Sequence, residues 1–473
     1  MLRQIICAAS IALLASVATA ANFSGKNGVT NRDDSCDIAV TPAATLLLPY
    51  FEVDISSPAS KATTTLFTVM NTSRYAQIAR VTLWTDWAFP AYSFDLFLTG
   101  YDVVPVNILD IFTRGQIPST PANTPPGPRS ESNFVNPNHS AAMPGECALR
   151  PSSIPPAILS ELRSIFTTGR PLGTIAGCNT DTHLGGAHVN AIGYATIDVV
   201  ATCSMLTPND PAYYATEILF DNVLTGDYEQ IAPNPDSGNY ASGNPLVHIR
   251  AIPEGGPAGS IVETNLPYTF YDRFTTIGPA YPRTMDRRQP LPATFAARWI
   301  QGGTGNFETS FQIWREGYTG AGAACARYVD NSSKQGVDVA RFDEHANAFI
   351  LGTGIIICTP PPRSMLSLPA TSKVDSGSTT FPFAYNGNDV SGWMFVNISN
   401  GGSPAYSAAP GRDFKTASST VAACARQSQG WMTTTMTAEG RYSVAWDATA
   451  LGNGCSISLP EGARIGPAAN VTP

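Results

Sequence analysis

The side chains best suited to chemistry in this chain fall close together: Asp181 and His183 flank Thr182, His188 follows five residues later, and Asp198 lies ten beyond that. The chain has five histidines in all, so two this near one another form its richest imidazole cluster. Leu184 to Ala187 contain Gly185 and Gly186, and a turn there could aim both rings at one cation, with Asp181 as a third ligand. Zinc needs three or four such donors at about 2.0–2.2 Å. Alternatively, His183 or His188 could serve as a general base with Asp198 as the orienting carboxylate, the makings of a hydrolase of sugars or esters. The plainer reading leaves His183 exposed on a loop and makes His188 the residue that opens a strand.

Other clusters carry less. Glu344-His345 could form an acid/base pair, but the corresponding position later in the chain, after Asp447, has Ala448-Thr449, so the shared Asp343 and Asp447 read as turn or cap residues. Trp84 and Trp87 bracket Thr85-Asp86 and could stack on sugar rings, as in a carbohydrate-binding module. Aromatic residues also dominate the cores of β domains, and Trp84 fits that role. No Gly-x-Ser-x-Gly elbow, phosphate-binding loop or His-Glu-x-x-His pattern occurs. No cofactor is expected beyond a possible structural divalent cation.

The N-terminus reads as an export signal over residues 1–20. Arg3 supplies the positive region, Ile5 to Val17 the apolar region, and Ala18-Thr19-Ala20 the small residues before cleavage. Of the nine cysteines, Cys7 lies in this segment, which leaves an even set in the mature chain. In an oxidising compartment that set reads as disulfides. Cys147 and Cys178 are 31 apart, Cys325 and Cys358 are 33 apart, and Cys424 and Cys455 are 31 apart, so Cys36 and Cys203 remain as the fourth pair. A loop of that size stabilises by about 3–4 kcal/mol in the chain-entropy account. No Cys-x-x-Cys is present, against a zinc ribbon or a thioredoxin-like site.

The formal net charge is −8, and loss of Arg3 makes it more negative still. With no Lys/Arg cluster, the chain lacks the electrostatic footprint of a nucleic-acid binder. No later segment is long and apolar enough to anchor it in a bilayer as a helix. A polysaccharide, an envelope protein or further copies of the chain joined through sheet edges are the partners to expect.

The elements that must position these residues are mostly strands. Charged residues make up 14% of the chain, against about 25% in ordinary soluble proteins. Its 40 Gly and 38 Pro suit many short elements joined by turns. Two-residue alternation runs from Thr63 through Val104, Val106 and Ile108, and returns from His188 to Cys203. Pro155-Pro156 opens one helix, with Ile158, Leu162, Ile165 and Phe166 on one face and Gly169 at its end. Ala323-Ala-Cys-Ala-Arg327 recurs as Ala422-Ala-Cys-Ala-Arg426 at an offset of 99, with Gly302-Gly303 matching Gly401-Gly402. The expectation is an all-β, multi-domain chain of antiparallel sandwiches, immunoglobulin-like or jelly-roll-like. It comprises a domain over 21–280 with a Pro-rich loop and helix inserted at 115–175, then two repeat units over 290–365 and 380–473. Function reads as an exported envelope or extracellular binding or structural component.

Overall fold

In the computed structural model, the described residues are 41–118, 153–174, 178–208, 213, 217–219, 221–234, 238–249, 291–292, 294–315, 336–345, 348–349, 364–376, 390–398, 430–439 and 442–452. The export signal, the Pro-rich loop and both Ala-Ala-Cys-Ala-Arg copies lie outside them.

Four antiparallel sheets carry the fold. Sheet I runs β10 (Val247–Ile249), β1 (Thr45–Val53), β6 (Ala191–Val200), β3 (Gln77–Thr85) and β4 (Pro90–Leu98). Sheet II runs β5 (Val103–Asn107), β2 (Thr64–Asn71), β8 (Asp227–Asn234) and β9 (Gly238–Pro245), with β7 (Leu224–Thr225) also on β2. Sheet III runs β16 (Thr371–Asp375), β12 (Glu308–Arg315), β18 (Gly430–Ala438) and β19 (Tyr442–Asp447). Sheet IV runs β14 (Ala348–Phe349), β13 (Gly336–Asp343), β17 (Ser391–Asn397), β11 (Thr294–Ile300) and β20 (Thr449–Gly452), with β15 (Ser364–Ser367) also on β13.

Alternation along each strand decides which sheets pack together. Leu46 and Leu48 of β1 point into the core shared with Phe67 and Val69 of β2, whereas Leu47 points the other way. A register shift between Leu48 and Phe51 then reverses the parity, so Phe51 and Val53 rejoin the first core. Pro49 sits in that bulge, where a residue without an N–H is tolerated inside an interior strand. The opposite face of sheet I, with Leu47, Trp84 and Tyr194, packs on Trp314 of β12 and Ala370. On the far side of sheet III, Phe311 and Ile313 meet Phe295, Trp299 and Met394 of sheet IV.

Two helices close the first sandwich. Helix α1 (Ile108–Arg114) begins where the sequence pattern suggests that the strand continues: Asn107 accepts from the Leu109 N–H at 3.0 Å, and Gly115 ends the helix in the left-handed conformation at φ 65. Helix α2 (Pro156–Thr168) has the expected face. Leu162, Ile165 and Phe166 are buried, and the Phe166 ring lies 5.7 Å from Phe51 and 4.9 Å from Phe112.

The two C-terminal repeat units do not form separate sandwiches. Strand β11 of the first pairs with β17 and β20 of the second, and β12 pairs with β18. The strands that the repeat equates, β11 and β17, are therefore antiparallel neighbours in one sheet. Strands of both units thus contribute to sheets III and IV, whose facing sides share one apolar core.

Candidate functional site

The β3–β4 turn supplies the centre of the site. Ala88 closes it at φ 65, with its N–H bonded to the Thr85 carbonyl at 2.9 Å, which leaves Asp86 and Trp87 at the tip. The 184–188 loop lies over this turn and is stapled to the C-terminal end of α2: Leu184 N–H donates to Gly169 at 2.7 Å and His188 N–H to Thr167 at 2.7 Å. Gly169, at φ 71, leaves the helix in a conformation that suits glycine.

Asp86 is 2% exposed, and both its oxygens are used: Oδ1 accepts the Gly186 N–H at 2.9 Å, and Oδ2 lies 3.0 Å from His188 Nε2. A carboxylate only accepts, so Nε2 is the nitrogen that donates to Asp86. A Cβ at Gly186 would stand 2.7 Å from His188 Nε2 and 2.8 Å from Asp86 Oδ2, so the dyad closes only over glycine. The half-buried imidazole thus rests on a buried carboxylate, an arrangement that can orient a base.

His183 is separate and exposed. Its Nε2 lies 3.0 Å from Arg170 Nη2, and Arg170 Nη1 lies 3.8 Å from Asp181 Oδ1. The Trp87 ring is 6.1 Å from the His183 ring. A guanidinium therefore stands where the metal reading placed a cation between Asp181 and His183. Among the described residues no three His, Cys, Asp or Glu side chains are grouped to hold a metal.

Asp198 does not join His188. It faces Arg80 across β6 and β3, whereas the end of β3 at Thr85 faces Gly193. Five residues of strand, about 17 Å, separate the two levels. Asp198 accepts from Thr45 Oγ1 at 2.6 Å and from Tyr213 OH at 2.8 Å, fully buried. Arg80, 1% exposed, grips Asp95 through Nε at 2.7 Å and Nη2 at 3.1 Å. Its remaining donors reach Ser204 Oγ at 3.0 Å and the carbonyls of Ser204 and Leu206 at 2.8 and 2.9 Å. These are interior framework contacts that hold the 202–206 segment against sheet I.

Trp84 belongs to the core: it stacks on Tyr194 at 5.5 Å and donates its indole N–H to Thr196 Oγ1 at 2.8 Å. Only Trp87 of that pair reaches the surface. Asp343 accepts the His345 N–H at 2.9 Å, as a turn residue does, and Glu344 pairs with Arg298 at 3.3 Å. Cys178 and Cys203 are each disulfide-bonded. Cys36, Cys147, Cys325, Cys358, Cys424 and Cys455 lie outside the described residues. Sequence reasoning missed Asp86, whose only signal was its position between two tryptophans.

No family model matches the chain, and no curated protein matches it. Among solved structures, it is similar to a Streptomyces avermitilis alpha-L-rhamnosidase complexed with L-rhamnose, at 8% identity and a TM-score of 0.14. The alignment covers 87% of this chain and 27% of that one, a likeness too slight to carry an argument.

Proposed function

We propose that this chain is an exported, disulfide-stabilised β-sandwich component of the cell envelope or extracellular space, which works by binding or assembly and not by catalysis. The observation that carries the reading is the use of its buried polar groups. Arg80, Asp95 and Asp198 spend their hydrogen-bonding capacity on neighbouring strands and loops, as interior framework does. The Arg3 to Ala20 leader and the disulfide-bonded Cys178 and Cys203 support export.

A second reading, a secreted hydrolase of esters or glycosides, draws on the His188–Asp86 dyad. The two are separated by incubating the purified mature chain with panels of chromogenic esters and glycosides. The binding reading expects no turnover above a heat-treated control. Turnover that His188→Ala removes, with the fold retained by circular dichroism, would establish the hydrolase. A third reading, sugar binding, now rests on Trp87 alone among the two tryptophans.

A further inference from the structure

The solvent face of sheet II carries a groove of about 440 Å³ across β5, β2 and β8. The strand register sets its layout. Pro105 stands opposite Thr68 and Asn107 opposite Leu66, and on the other side of β2 Leu66 faces Glu229. The floor is Leu66, Thr68 and Pro105, with the Thr68 hydroxyl donating to one oxygen of Asp227, and it continues into Met70 and Val103, which are 39% and 46% exposed. The β8 rim is acidic. Asp227 and Glu229 are both exposed and lie two residues apart on one strand, so they share a face about 7 Å apart. Asp110, at the start of α1, adds a third carboxylate, held by Arg114 at 3.2 Å. Among the described residues that line the groove none is basic.

We infer that this face docks an extended segment of a separate protein bearing Lys or Arg at alternate positions. Aliphatic stems of such residues lie over Leu66 and Pro105 while their cationic heads reach Glu229 and Asp227. An extended chain presents side chains i and i+2 at the spacing of those two carboxylates. Charge complementarity selects the occupant, because an acidic rim on a chain of net charge −8 attracts cations and repels a similarly charged surface. Recognition must come from the face of the sheet and not from its edge: β5 is the edge strand, and Pro105 has no N–H to offer a further strand. This inference rests on the binding reading above.

The test uses the full mature chain and a dye-labelled, acetylated peptide alternating Arg with Ser, read by fluorescence anisotropy. Saturable binding is expected, weakened about tenfold or more by the pair Asp227→Asn and Glu229→Gln, and weakened steeply as salt rises. Asp181→Asn, an exposed carboxylate elsewhere, should leave affinity within about twofold, and a peptide with its Arg residues clustered should bind less well. Glu229→Lys alone serves if the double variant does not fold. The inference is overturned if the alternating peptide fails to bind, if binding survives both variants, or if Asp181→Asn weakens it equally. Sedimentation showing that copies of this chain dimerise through the same residues would overturn it too, by making a second copy the occupant. Failure here with no turnover on the hydrolase panels leaves the non-catalytic reading standing and removes only this partner.

Discussion

His248 shows how a single residue in the framework couples stability to pH. It is 3% exposed, sits on β10 opposite Leu46, and its Nε2 lies 3.3 Å from the Gly226 nitrogen. Burial disfavours the imidazolium and lowers its pKa below the usual 6.5. As pH falls through about 6.5 the unfolded chain takes up this proton before the folded one, so stability present at neutral pH is lost toward the lower, folded value. Melting temperature measured from pH 7 to 5 should therefore drop less in His248→Gln than in the parent. Equal slopes would show that other groups set the acid limit. Asp86 makes a related point about legibility: its partners, Gly186 and His188, are about a hundred positions away, and nothing local to Trp84-Thr85-Asp86-Trp87 announces them.

At the scale of elements, the legible features were those with strong local rules. Helix α2 appears where Pro155-Pro156 and Gly169 bracket a 3.6-residue apolar pattern, and β6 where Thr196 and Asp198 alternate with Ala195, Ile197 and Val199. Gly169 is also a joint. A Cβ there would stand 2.0 Å from the Gly185 carbonyl oxygen, on top of the cost of its positive φ. Gly169→Ala should cost about 1–3 kcal/mol in chemical denaturation and loosen the loop that carries His188, seen as faster amide exchange at 184–188. Unchanged exchange would mean that the loop is held by Asp86 alone. The β8–β9 hairpin was not legible, for a physical reason. Its residues, such as Gln230 and Ser242, meet polar partners across from sheet III, Gln312 and Ser443, so no apolar alternation marks them. Strand β5 likewise passes into α1 at Asn107, where a cap outweighs the continuing apolar pattern.

At the scale of the molecule, the first sandwich and the interleaved second one share a core. Tyr194 meets Trp314 edge-on at 5.7 Å, Thr371 Oγ1 donates to the Pro49 carbonyl at 2.7 Å, and Lys373 reaches Glu52 at 3.8 Å. A fragment ending at residue 249 would expose the face bearing Leu47, Trp84 and Tyr194. It should bind a hydrophobic dye and aggregate where the whole chain does not, and Trp314→Ala in the whole chain should cost about 3–5 kcal/mol. A soluble, dye-silent fragment would show that the two sandwiches are independent. By itself, the sequence determined the strand-rich class and the Pro-bounded helix, because periodicity and caps are local quantities. Only the tertiary structure decided that Asp198 and Trp84 are interior framework, that Asp86 is the carboxylate on His188, and that the repeat units share their sheets. Those outcomes depend on which distant strand lies alongside, and strand pairing is set by covering apolar faces across the whole chain.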